Sequence, residues 1–293
     1  MTVETISSIL SGPGDGGAGG HPTRRRRRRS GTLIAGAVIV GIVLLAAAFA
    51  PLVATHDPIV QDLTAGLQPP SAAHWLGTDQ LGRDIWSRIV YAARTDLRVG
   101  VLAVATPAVL GIALGLLAGY FGGWTDRIAS YLVDTNLAFP FYVIVLAMVT
   151  LLGTGEGAIY LTFALVAWVN YTRVVGVVTA GFARENWVLA ARGGGLGHVR
   201  VMVRHVLPNA LPQIVVLVVN DIVFVILAVV TLSYLGLGIQ PPTPDWGGMI
   251  SDGQAFLTSR PWISLAPGAA LFVTAVGFSL LADGIADVLR DER

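Results

Sequence analysis

The sequence predicts an all-α integral membrane protein of about six transmembrane helices. Three observations carry that prediction. First, 54% of the 293 residues are hydrophobic and only 13% are charged, against roughly 25% charged in ordinary soluble domains. A water-soluble exterior needs polar cover that this chain cannot supply, which argues against a very apolar soluble enzyme. Second, six apolar runs lie near 33–54, 99–121, 131–152, 158–182, 210–238 and 262–282. Each reaches the roughly 20 residues needed to cross a hydrocarbon core. Third, a block of six arginines, Arg24 to Arg29, stands directly before the first run.

The N-terminal stretch ahead of that block is rich in Gly and Ser and holds Pro13 and Pro22. It has nothing to build a core from. Residues 1–30 are therefore expected to be a disordered Gly/Arg-rich cytoplasmic tail, and residues 31–293 a single six-helix domain. Arginine runs can bind nucleic acid, but no aromatic platform accompanies this one. Beside a spanning segment it reads as a cytoplasmic anchor and orientation signal. All nineteen basic residues are Arg and there is no Lys, which reflects compositional bias and no mechanism. There is no Cys, so disulfides, thiol nucleophiles and Cys-ligated metals are excluded.

The first run, Leu33 to Ala54, carries no charge. It is too long for a secretory h-region, and Pro51 follows the Ala48-Phe49-Ala50 triplet, so an uncleaved anchor fits better than a signal peptide or a twin-Arg export signal. The second run places Gly111, Gly115 and Gly119 at four-residue spacing, which predicts a close helix–helix contact. The third contains Pro140, which predicts a kink inside that helix. The positive-inside rule then puts both termini in the cytoplasm, together with the segment between runs four and five, which holds Arg184, Arg192, Arg200 and Arg204. Arg83, Arg88, Arg94 and Arg98 fall on the opposite side and conflict with the rule. Their loop is long and also carries Asp57, Asp62, Asp79, Asp84 and Asp96.

The segment between runs four and five is the most informative. Trp187, Val188 and Ala191 can share a helix face, and Gly193 to Gly195 then break the helix. A second short helix is expected from about Val199 to Leu207, with Pro208 closing the loop or opening the next membrane helix. The product is a helix-turn-helix over about 183–209, apolar enough to need a partner and basic enough to stay out of the membrane.

This segment resembles the permease subunits of ABC-type importers. Their signature is an EAA box, three residues, Gly, nine residues, then an aliphatic residue, any residue, Leu and Pro. Ala190, Ala191, Gly195, Leu207 and Pro208 fall in register, His205 takes the aliphatic position, and Leu189 replaces the Glu. Glu185, one turn earlier, would have to supply that charge. The run His74-Trp75-Leu76-Gly77-Thr78-Asp79-Gln80-Leu81-Gly82-Arg83-Asp84-Ile85-Trp86-Ser87-Arg88 is similar to the external loop of the C-type permease of dipeptide and oligopeptide importers. So are Gly119 to Trp124, Leu235 to Pro242 with Asp245-Trp246-Gly247, and Asp283 to Asp287.

The resemblance implies a type I ABC importer permease fold and translocation of short peptides across the cytoplasmic membrane of a bacterium. It implies four kinds of partner: a second homologous (B-type) permease subunit, two ATPase subunits, an extracytoplasmic peptide-binding protein, and membrane lipid. Glu185, Trp187, Leu189, Ala190, Ala191, Arg192, Gly195, His205, Leu207 and Pro208 would form the ATPase-coupling loop. Asp79, Arg83, Asp84, Asp245 and Trp246 would contact the binding protein; Trp75, Trp86, Trp246 and Trp262 could equally be membrane-interface anchors. Without Lys there is no Walker-type phosphate loop, so ATP and Mg²⁺ belong to the partner subunits and this chain is not an enzyme.

Asp134, Asn136, Asn170, Arg173, Asn220 and Asp221 lie in or near spanning runs, where polar groups need a reason. Asn220 and Asp221 are candidates for the translocation path, with an inter-helix hydrogen bond as the alternative. Nickel complexes and glutathione are alternative cargoes on the same scaffold, and a proton-coupled secondary carrier is an alternative mechanism. A membrane hydrolase lacks support, since no Gly-x-Ser-x-Gly or His-Glu-x-x-His occurs. His21, His56, His74, His198 and His205 are scattered along the chain, so no metal path is expected.

Overall fold

A computed structural model describes residues 23–291, with side chains from Gly31 to Leu289. Twelve α-helical segments make up most of the described residues, and no strand occurs among them. Helix α1 (Thr23–Ala48) begins just before the arginine block and includes it. Of the expected tail over 1–30, residues 1–22 lie outside those described, and the backbone is helical from Thr23.

After the short α2 (Ala50–Val53), α3 runs unbroken from Ile85 to Phe121. It starts well before the expected second span, at about 1.5 Å per residue extending roughly 55 Å. Asp84 fixes that start: its carboxylate accepts a bond from the Ser87 N–H at 2.8 Å, satisfying one of the orphan donors of the first turn.

The third expected span is not one kinked helix. α4 (Gly123–Leu137) and α5 (Phe141–Leu152) meet at 85°. Pro140 stands at the break, capping α5, and is not inside a helix. Proline has no N–H to give the ladder and drives the residue before it out of the α region, so Phe139 cannot continue α4. α6 (Glu156–Val166) and α7 (Trp168–Phe182) together form the fourth span. Then come α8 (Asn186–Gly193), α9 (His198–Val201), α10 (Leu207–Tyr234), α11 (Trp246–Gly253) and α12 (Trp262–Asp291). Five helical stretches are each long and apolar enough to cross a membrane, and the bent α4–α5 pair brings the number to six.

In lipid, helices gain little from burying apolar surface against one another, so close packing must hold them. The glycine stripe of α3 provides it. An added Cβ on Gly111 or Gly119 would overlap the carbonyl oxygens of Trp168 and Gly176 on α7, and one on Gly115 would stand 2.8 Å from the Thr172 carbonyl. The Thr172 hydroxyl donates to the Gly111 carbonyl at 3.2 Å, locking the crossing. Gly36, Gly277 and Gly284 bring α1 and α12 together in the same way. Around these contacts Val99, Val145, Val149, Ile159, Phe163, Tyr171 and Leu232 are buried at the centre of the bundle.

Candidate functional site

The two ends of α3 carry two different sites. At its C-terminal end, Leu116 and Tyr120 join Val175, Val188, Val201, Met202, Val206 and Ala210 in one buried cluster. Val188, wholly buried, pins α8 to the bundle, and Ala191 packs beside it. The opposite face of α8 is bare: Leu189 is 49% and Trp187 38% exposed, and Ala190 and Arg192 are also exposed. So Trp187, Val188 and Ala191 do not share a face in function; Val188 and Ala191 point in, Trp187 out. Val199 and Val203 continue the apolar surface, flanked by exposed Arg200 and Arg204. Glu185 sits at the N-cap of α8 without a side-chain capping bond, where its negative charge complements the helix dipole. Leu189, at the position of the usual Glu, is a surface residue.

Gly195 makes the turn. Its φ of 86° is left-handed, which a side chain resists. Gly193 is still helical, and the Leu196 N–H closes the turn onto the Ala191 carbonyl at 3.3 Å. The second helix expected over 199–207 forms, but it does not end there. α9 leads through a π-helical turn, Met202–Val206, directly into α10. The wide turn fits Pro208, which cannot donate to the helix ladder. His205 lies in that turn, half-buried, and Leu207 and Pro208 are the first residues of α10. The second half of the loop and the fifth span are therefore one continuous helical stretch from His198 to Tyr234. Tyr120 braces it: its hydroxyl lies 3.2 Å from His198 Nδ1, and the Arg192 guanidinium stands 5.8 Å over its ring.

At the N-terminal end of α3 the residues expected to touch a binding protein are buried. Asp79, Arg83, Asp84, Asp245 and Trp246 are each 5% exposed or less, so they cannot meet a partner surface. They hold a platform together from inside. Asp79 accepts from the Leu81 and Arg83 N–H groups, and from Arg83 Nε at 2.7 Å. Arg83 reaches Asp252 at 3.3 Å, and Arg88 donates to the Pro58 carbonyl at 3.2 Å. Gly82 (φ 73°) lets the turn pass under Asp62, where a Cβ would overlap the Asp62 carbonyl. Trp246 donates its backbone N–H to Asp96 at 2.9 Å and its indole N–H to the Ile89 carbonyl at 3.2 Å.

Asp245 caps α11 through the Gly248 N–H at 2.9 Å, and burial holds its carboxyl above the usual range. Burial also pushes Asp84 up, but bonds from Ser87 and His74 and the nearby His56 outweigh it and leave it below its ordinary value. Ion pairs account for three of the four arginines that conflict with the positive-inside pattern, Arg94 being exposed. Arg83 and Arg88 are neutralised inside the fold, and Arg98 pairs with Glu156 at 2.5 Å.

The structure separates the two path candidates. Asp221 Oδ2 accepts the Tyr171 hydroxyl at 2.6 Å, tying α10 to α7. Asn220 is exposed and donates back to the Val216 carbonyl of its own helix. A third polar group, Asp126, Asp134, Thr172 and Arg173, lines a cleft of about 230 Å³ between α4 and α7. Sequence reasoning missed Asp96, which reads as one acid among several in a loop, and missed the meeting of His56, His74 and Asp84. No local spacing signals either, because their partners lie far along the chain.

A six-span helical bundle with a buried platform at one end and a bare, basic-apolar helix at the other defines a multi-pass membrane permease. The chain belongs to the family of binding-protein-dependent transport system inner membrane components, which matches residues 111–292, while the N-terminal TM domain of oligopeptide transport permease C matches residues 22–70. It is 38% identical over 256 residues to a dipeptide transport system permease of Alkalihalophilus pseudofirmus, covering 87% of this chain and 84% of that one. It is 37% identical to a glutathione transport system permease of Pectobacterium atrosepticum (75% and 73% covered) and 38% identical to a nickel transport system permease of Escherichia coli K12 (80% and 84%).

Proposed function

We propose that this chain is the translocation subunit of an ATP-driven importer of short peptides. It pairs with a second homologous permease, two ATPase subunits and an extracytoplasmic peptide-binding protein. One observation carries the reading: α8 presents Leu189, Ala190 and Arg192 outward, while the helix that follows it enters the bundle without a break. An ATPase groove that grips this face moves α10 directly. Closure of the two ATPases around ATP and Mg²⁺ then tilts the bundle from inward-facing to outward-facing. ATP chemistry stays on the partners. Both termini and α8 face the cytoplasm, and the platform faces outward.

The absence of native cysteine makes the test clean. A single Ala190→Cys reacts with a membrane-impermeant maleimide only from the cytosolic side, and the ATPase subunit protects it. Labelling from outside the cell overturns the reading. Dipeptide is the favoured cargo through the dipeptide permease relative. Glutathione and nickel complexes are the second reading, because relatives of those systems are as similar in sequence. Mass spectrometry of ligand co-eluting with the assembled importer separates them. Uptake that survives ATP depletion but not loss of the proton gradient would show a secondary carrier instead.

A further inference from the structure

Among the described residues, one group has the makings of a transition-metal site: His56, His74 and Asp84, whose ligand atoms all lie within 4.8 Å of one another. We propose that it binds one divalent cation of the zinc class and clamps the platform end of the bundle.

The three residues come from distant points: His56 just after α2, His74 from the loop before the platform turn, Asp84 from the N-cap of α3. The carboxylate is held in advance. Asp84 Oδ2 accepts the Ser87 N–H at 2.8 Å and the Ser87 hydroxyl at 2.7 Å. That leaves Oδ1 toward the imidazoles, 2.9 Å from His74 Nδ1 and 3.8 Å from His56 Nδ1. The backbone under His56 is fixed as well, since the Thr55 and His56 N–H groups both donate to Ser87 Oγ, at 3.1 and 3.0 Å. Such outer support orients ligands and raises affinity. Metal–ligand bonds of about 2.0–2.2 Å in a tetrahedron need ligand separations near ~3.3 Å. Measured from Asp84 Oδ1, His56 Nδ1 and His74 Nδ1 each lie about half an ångström from that, and all separations in the group stay within 4.8 Å, so side-chain rotation must draw the imidazoles onto the ion.

The donor set selects the ion. Two imidazoles and one carboxylate suit Zn²⁺, Co²⁺ or Ni²⁺. Ca²⁺ and Mg²⁺ prefer oxygen alone. Asp84 is 1% exposed and His74 17%, while His56, at 42%, keeps one side open for entry and for a water ligand. A bound ion ties the α2 exit to the α3 start and stiffens the platform, whatever the cargo.

Full-length protein, purified without a polyhistidine tag and stripped with EDTA, is titrated with Zn²⁺ alone. Saturable binding of one ion per chain is expected, with a rise in melting temperature. His56→Ala should weaken binding by at least ~10-fold, the least that loss of a direct ligand should cost, and abolish the thermal shift. His56→Gln, which keeps the side chain's bulk, should do the same and guards against a folding defect in the alanine variant. His74→Ala should also weaken binding. No saturable binding, or unchanged affinity in His56→Gln, overturns the proposal.

Discussion

Leu189 and Val188 are neighbours on α8 and should respond oppositely to the same substitution. Val188 is fully buried and Leu189 is 49% exposed. Fully burying a leucine side chain is worth about 1.5–3 kcal/mol, so covering the bare half of Leu189 against an ATPase contributes about 1 kcal/mol. An aspartate there loses that contribution and must also be desolvated, at a further cost of at least ~1 kcal/mol. Leu189→Asp should therefore weaken ATPase docking roughly thirtyfold, at 1.4 kcal/mol per decade, and leave the subunit's own melting curve unchanged. Val188→Asp places an unpaired carboxylate in the cluster of Leu116, Val175, Val201 and Val206. That costs several kcal/mol, enough to detach α8 and lower the melting temperature. The assays are ATPase affinity by interferometry on the purified permease and thermal unfolding in detergent. Equal docking by Leu189→Asp and wild type, or unchanged melting of Val188→Asp, refutes the assignment of inner and outer faces.

Other perturbations test the remaining links. Gly115→Val forces α3 from the Thr172 carbonyl and should cost about 1–3 kcal/mol by overpacking, read as a lower melting temperature. Trp246→Phe removes the indole bond to the Ile89 carbonyl, which keeps its own helix donor, for about 0.5–1.5 kcal/mol; Trp246→Ala should cost about 3–5 kcal/mol, both seen by thermal or denaturant unfolding. Tyr171→Phe should destabilise the α7–α10 contact while uptake per assembled complex stays intact; selective loss of uptake would place Asp221 on the substrate path. Gly195→Ala must adopt a left-handed backbone at about 1–2 kcal/mol and should lower transport-coupled ATP hydrolysis without reducing membrane insertion.

Much of this was legible in the chain. Lengths of apolar run fix the number of crossings, because crossing lipid demands a helix of set length whatever it packs against. The four-residue glycine spacing fixes which face of α3 makes the close contact, since a helix repeats locally. The order of turn residues marks the platform and the α8 turn for the same reason. Pro140 marks an interruption, though not its 85° extent.

Depth and company were not legible. Arg83 and Trp246 look like surface contacts in a polar loop, and the fold buries them because Asp252 and Ile89 meet them from far along the chain. The continuity of α8's successor with the fifth span depends on a π turn that relieves Pro208, which residue spacing does not announce. His56, His74 and Asp84 stand well apart in sequence, yet Ser87 gathers the ends of two segments around one carboxylate. Helices follow from neighbours along the chain; sites follow from neighbours in space, and only the folded bundle decides those.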